Sequence, residues 1–282
     1  MTDIPLLAFL AILGSALAHS GMALFTKKAA DTLVFRGLSL SLSALWLSPV
    51  LVLMPFPEWE VWRFLLMGAA IIWVFNLLMI AAFQRGEMNL VYPVMRGASP
   101  TLTGLAAWAV LGEPLSPLAM LGLAIASGAI IAFAWPDKRA APKAAALAFA
   151  LSASVMTAAY SVNDASGVRA AGSALHYVAW FFALSAPLIV LTAWVRRGRR
   201  TLALARGELK GAFLSSFFNI ATYGLALYAY AHAPVAPMAA MRETSVVFGA
   251  ILAALVLKES FGLRRTLLAI LLAAGLVLLQ IG

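Results

Sequence analysis

Apolar residues run along this chain in blocks of about twenty, cut by short clusters of charge, proline or glycine. A helix crossing ~30 Å of hydrocarbon needs roughly 20 mostly apolar residues. The cuts leave ten such blocks, near residues 4–25, 33–54, 63–83, 88–111, 115–135, 144–162, 173–195, 211–231, 234–257 and 261–281. The pattern predicts an all-α integral membrane protein with ten transmembrane helices. At "LGEPLSP" and "AYAHAPVAP" proline, not a hydrophilic stretch, marks the turn, which fits tight helical hairpins. The N-terminal "MTDIPLLAFLAILG" has no basic leader and no evident cleavage site, so it reads as the first span and not as a removed signal peptide.

Composition agrees with the pattern. The chain has 282 residues, 63% hydrophobic and 11% charged, with a mean hydropathy of +0.96, whereas a soluble domain carries roughly 25% charged residues. The net charge of +9 does not point to nucleic acid, because the basic residues sit in short gaps between apolar blocks and form no basic face on a soluble module. Membrane lipids are the expected surroundings. The absence of cysteine excludes a disulfide framework and thiolate chemistry, and three scattered histidines make no metal cluster. No zinc-type histidine–glutamate motif, nucleotide-binding glycine loop or clustered acidic pair is present, so neither catalysis, a metal nor a cofactor is expected.

Charge placement sets an orientation. The gaps after the first, third, fifth, seventh and ninth blocks hold most of the lysine and arginine, including Lys27, Lys28 and Arg36 after the first and the "RRGRR" run after the seventh. The opposite side carries only Arg63 and Arg169. By the positive-inside rule the odd-numbered gaps are cytoplasmic and both termini lie outside, periplasmic if the membrane is a bacterial inner membrane. "RRGRR" is then a topogenic anchor.

Two arginines remain inside blocks, Arg96 and Arg242. An arginine at bilayer depth costs roughly 2.5–3.5 kcal/mol on insertion scales, so each is a functional candidate. They are related: "MRGASPTLTGLAAWAVLGEPLS" (95–116) lies over "MRETSVVFGAILAALVLKESFG" (241–262) without a gap, pairing Arg96 with Arg242 and Glu113 with Glu259 at an offset of 146 residues. Allowing one inserted residue also brings Gly128 near Gly275. The repeat predicts two five-helix halves, 1–137 and 138–282, and an odd number of spans per half makes them inverted. Secondary transporters with this geometry bind substrate near midplane between the halves. Each arginine lies a few residues before its helix centre, which at ~1.5 Å per residue attaches the two side chains roughly 5 Å on either side of the midplane.

Pro100 has no N–H for the carbonyl of Arg96, so the helix is expected to be loosened there, with Gly97 allowing close approach. Guanidinium binds carboxylate, phosphate or phosphonate bidentately at any relevant pH, which makes Arg96 and Arg242 the candidate site for an anionic or zwitterionic substrate. The alternative is a structural pair held by intramembrane carboxylates. Glu243 points about 100° away from Arg242 on a helix, and it is either a proton carrier or the ion-pair partner of Arg96 or Arg242. His19 and Asp164 are further candidates for coupling transport to protons, the expected ion.

The duplicated ten-span chain, with "LGEPLS" ending the fourth span and "LKESFG" the ninth, resembles the EamA family of the drug/metabolite transporter superfamily. "YPVMRGASP", "AYSVNDASGVR" and "MRETSVVFGA" resemble a branch of it associated with phosphonate utilisation. The resemblance implies a secondary active transporter of small metabolites, with a central cavity lined by spans 3, 4, 8 and 9. On those spans Trp73, Asn76, Tyr92, Asn219 and Tyr223 are the candidates to orient the rest of a substrate, and Trp108 reads as an interfacial anchor. Glu113 and Glu259 are expected to favour the N-termini of the helices that follow them. Small residues on spans 5 and 10 suggest helix packing or dimerisation, so a monomer or a homodimer is expected. The alternative to an anion carrier is an exporter of amino acids or amphipathic toxic compounds with an aromatic-lined cavity.

Overall fold

A computed structural model of the protein describes residues 4–86, 88–134, 144–249, 251 and 262–281, and among them the chain is helical with no strand. The first half comprises α1 (Leu6–Lys28), α2 (Thr32–Trp46), α3 (Ser48–Leu53), α4 (Trp59–Arg85), α5 (Met88–Ala106), a π-helical turn (Ala107–Leu111) and α6 (Pro117–Ala134). The second comprises α7 (Ala144–Ala171), α8 (Ala174–Arg197), α9 (Arg200–His232), α10 (Val235–Arg242), helical residues 245–249 and α11 (Gly262–Ile281). Five described helices have stretches long and apolar enough to cross a membrane: Leu6–Thr26, Trp59–Ala82, Ala144–Ala171, Ala174–Arg197 and Arg200–His232. Shorter apolar helices cover Thr32–Trp46, Pro117–Ala132 and Thr266–Leu279.

Several boundaries differ from the hydrophobic pattern. The "RRGRR" region is not a loop up to residue 210, because α8 runs on through Arg196 and Arg197 and α9 already begins at Arg200, carrying Arg206 and Lys210 on its first turns. A helix of 33 residues is ~50 Å long, so its basic start extends beyond a hydrocarbon layer. Similarly α7 does not end near 162. It continues through Asn163 and Asp164 to Ala171, since Nδ2 of Asn163 and the Asp164 carboxylate find partners on neighbouring helices. Arg36, assigned to a cytoplasmic gap, lies within α2. The cause is local: the Asp31 carboxylate accepts from the backbone N–H of Leu33 and Val34 and caps the helix at its first turn. The second apolar block bends at Leu47, where α2 ends and Pro49 occupies the first turn of α3.

The expected loosening at Pro100 does not take the form of a break, for α5 runs across Pro93 and Pro100. The irregular stretches lie elsewhere. One is the π-turn, closed by Gly112 at φ 66°, a left-handed conformation that only glycine adopts cheaply. The other is the turn at residues 243–244, directly after Arg242.

α4 packs against α7 and α8, α1 against α9, α2 against α8 and α9, and α5 against α6 and α7. Tyr177, Tyr230, Ile12 and Met238 are sealed in the principal core. The small residues of α6 and α11 close a seam within the chain: a Cβ added to Gly122 would lie 2.4 Å from the Leu279 nitrogen, and one added to Gly275 would lie 2.7 Å from the Ala126 nitrogen. Only glycine permits that backbone approach, which is how helices gain van der Waals contact where lipid removes the hydrophobic driving force. Large apolar side chains such as Leu6, Leu7, Leu267 and Ile270 remain exposed on the outside.

Candidate functional site

The interior holds several charged side chains on helices from both halves. Arg96 on α5 donates through Nη1 to Oε1 of Glu243 at 3.1 Å, and the side chains are 11% and 2% exposed. Through Nη2 it also contacts Nε2 of His19 on α1. A guanidinium only donates, so in this contact the ring nitrogen takes the acceptor role. His19 thus enters the site as a partner of Arg96. The second oxygen of Glu243 is buried without a hydrogen-bond partner among the described residues.

Arg242 is equally buried, and its Nη2 donates to the hydroxyl of Tyr160 on α7 at 2.8 Å. Its guanidinium also lies 5.8 Å from the centroid of that ring. Glu243 is within electrostatic range of Arg242, but no described carboxylate is at ion-pair distance from it. His19 lies within range of the charges of Arg96, Arg242 and Arg36, so these groups form one electrostatic unit.

A second cluster surrounds Asp164, 1% exposed on α7. Its Oδ1 accepts from the Tyr177 hydroxyl and from Nδ2 of Asn163, each at 2.9 Å, and its Oδ2 accepts from the Tyr223 hydroxyl. Tyr223 stacks on Phe181 with centroids 4.3 Å apart. Gly68 on α4 makes room, since a Cβ there would come within 2.7 Å of Oδ1 of Asp164. The carboxylate is therefore held by neutral donors, with Arg242 near enough to act on it through charge.

The remaining candidates are dispersed. Trp73 donates from Nε1 to the Thr192 hydroxyl on α8 at 2.9 Å. Asn76 is buried and donates to the Ile72 carbonyl of its own helix. Asn219 on α9 donates to the Ser39 hydroxyl on α2 at 2.8 Å. Tyr92 lies in α5, with its side chain outside the described set, and Glu259 is outside the described residues. Trp108 is exposed on the π-turn.

Glu113 departs from expectation. It does not serve the helix that follows it, where Ser116 accepts from the backbone of Ala119 instead. Its Oε2 accepts from the Val235 N–H at 2.7 Å, at the first residue of α10, and its Oε1 pairs with Arg169 at 2.9 Å. The carboxylate of one half therefore caps a helix of the other, because the αL turn at Gly112 directs the chain towards α10.

Sequence reasoning missed Tyr160, Tyr177, Asn163 and Arg36. A signal existed for the first: Thr157, Tyr160, Ser161 and Asp164 recur at three- and four-residue spacing, which puts a polar stripe on one face of an otherwise apolar helix. An open groove of about 430 Å³ lies nearby, bounded by Phe64, Ile71, Leu102 and Asn163 and by the exposed side chains of Met67 and Val155. It is apolar, the arginines do not line it, and Oδ1 of Asn163 is buried beside it without a partner.

A search of curated proteins gave no match. One crystal structure aligns with 97% of this chain and 96% of its own length at a TM-score of 0.73 and 15% identity, which establishes a shared fold. Residues 144–281 match the EamA-like transporter family. The second half of this multi-pass membrane protein is thus similar to the EamA-like transporter family.

Proposed function

We propose that the protein is a secondary active transporter that moves a small anionic or zwitterionic metabolite by alternating access, with Arg96 and Arg242 holding the anionic group. The observation that carries this reading is the state of Arg242, buried against the Tyr160 hydroxyl with no described carboxylate at ion-pair distance. Among the described residues, three guanidiniums (Arg36, Arg96, Arg242) and two carboxylates (Glu243, Asp164) act on one another here, which leaves an excess positive charge that an anion would neutralise. Phosphonates and phosphate esters join carboxylates as substrate candidates.

The halves 1–137 and 138–282 are taken as inverted repeats, together supplying ten spans. Their packing supports this: exchanging each helix for its counterpart turns the α4–α7 contact into the α9–α1 contact and the α2–α9 contact into the α8–α4 contact. The charge distribution puts the termini on the periplasmic face of a bacterial inner membrane. Coupling to protons falls to Asp164, because Glu243 and His19 are both engaged by Arg96. A proton on Asp164 raises the positive excess and so favours the anion, which links the two bindings reciprocally.

The test is uptake into proteoliposomes of a panel of carboxylates, phosphate and phosphonates. Arg96→Gln and Arg242→Gln are each expected to lower uptake of the transported anion by about tenfold or more, since a charge-assisted pair is worth roughly 1.5–3 kcal/mol. Unchanged uptake of every anion at normal expression overturns the reading. The apolar groove beside Asn163 favours a second one, export of an amphipathic compound, and competition by such compounds but by no anion would establish it.

A further inference from the structure

Arg36 joins the electrostatic unit of Arg96, Arg242 and His19 through charge, but its side chain lies in a separate crevice. It projects from the second turn of α2 into a narrow crevice between α1, α2 and α9, lined by Met22, Thr26, Ser39, Ser215 and Asn219. Its Nε is sealed from solvent and has no hydrogen-bond partner among the described residues. The hydroxyl of Ser215 on the facing helix is likewise buried and unpartnered. The nearby carboxylate is occupied: Asp31 pairs with Arg197 at 2.6 Å and caps α2. An unpaired guanidinium N–H and an unpaired hydroxyl are thus gathered beside the donor group of Asn219, a combination suited to a tetrahedral or carboxylate anion. Arg36 also acts through charge on His19 and Tyr160, which are the contacts of Arg96 and Arg242.

We propose that Arg36, with Ser215, forms a second anion subsite, through which the anionic group of the solute passes on its way to or from Arg96 and Arg242. The subsite rests on the anion-transport reading above. Under the charge-derived orientation it lies on the cytoplasmic side. The crevice is closed in this structure, with no room for a water-sized ligand, so the anion enters the subsite only when α2 and α9 part. A lipid phosphate presents the same chemistry as a solute phosphate. The half-buried guanidinium, with its Nε turned inward, favours the solute.

The test measures equilibrium binding of methylphosphonate and inorganic phosphate to purified full-length protein, together with thermal midpoints in phosphatidylglycerol and phosphatidylcholine nanodiscs. Arg36→Gln is expected to raise the Kd of the bound anion by about tenfold or more, Arg36→Lys by less, and Ser215→Ala by a few-fold. Midpoints in the two lipids should shift equally in wild type and variant. Wild-type binding that persists unchanged in Arg36→Gln overturns the subsite while leaving the transport reading intact. Failure of the wild type to bind either probe overturns the subsite, while the transport reading stands or falls on uptake of the full anion panel. Loss of stabilisation by phosphatidylglycerol alone assigns Arg36 to a lipid headgroup and overturns the solute subsite. Should Arg36→Gln not fold, an unchanged Kd in Ser215→Ala overturns it.

Discussion

Arg96 and Glu243 form a buried ion pair at 3.1 Å that ties α5 in the first half to the turn ending α10 in the second. Removing one member of such a pair leaves an uncompensated charge, at a typical cost of 3–5 kcal/mol, whereas removing both is far milder. Arg96→Gln and Glu243→Gln should each lower the thermal midpoint in detergent, and the double variant should recover much of the loss. A double-mutant cycle checks this, and simple additivity would show that the two side chains are not coupled.

Asp164 accepts three hydrogen bonds from neutral donors, so neutralising it changes the charge of the site with little change in shape. Anion affinity should rise as pH falls in the wild type, for an anion whose own charge is constant over the range. Asp164→Asn should remove that dependence, and in vesicles it should retain anion exchange while losing accumulation driven by a proton gradient. An identical pH profile in wild type and variant would assign the proton elsewhere.

Gly275 and Gly128, aligned with each other by the sequence offset, occupy unlike surroundings. A Cβ on Gly275 meets the backbone of Ala126 and Gly122 at 2.7 and 2.9 Å, while one on Gly128 meets nothing within 4 Å. Gly275→Ala should therefore force α6 and α11 apart and cost about 1–3 kcal/mol. Gly128→Ala should leave stability unchanged or raise it slightly through helix propensity. Thermal denaturation of the two variants side by side measures the difference.

Asp31 lies at the α1–α2 turn, outside the spanning segments. Burial pushes its carboxyl upward, but the bonds from Arg197, Val34 and Leu33 outweigh that and hold it below the ordinary aspartate value. A depressed folded-state value makes the stabilisation complete above the ordinary range, near pH ~4, and removes it as pH falls through the folded value. Arg197 is half-exposed, so solvent screening limits the pair to about 1 kcal/mol or less. Asp31→Asn, which keeps a capping oxygen, should flatten the acid side of the stability profile. Asp31→Ala should cost about 1 kcal/mol more through loss of the cap.

Much of the architecture was legible in one dimension. Apolar block length marks where helices run because insertion depends on the summed transfer energy of neighbouring residues, a local quantity. The same reasoning singled out Arg96 and Arg242, whose cost at bilayer depth demands a reason, and the offset of 146 residues tied them together. Tertiary structure decided the partners. Glu243 faces Arg96 and not its neighbour Arg242, Glu113 caps α10 and not α6, and Asp164 is enclosed by tyrosines from α8 and α9. It also moved Arg36 from a loop into a crevice and extended α7 through residues that looked like its end. Each of these depends on which faces of rotated helices meet across the bundle, and a side chain turns about 100° with every residue. Local hydropathy can say that a polar group must be satisfied, but the helix that satisfies it is chosen by packing between segments distant in sequence.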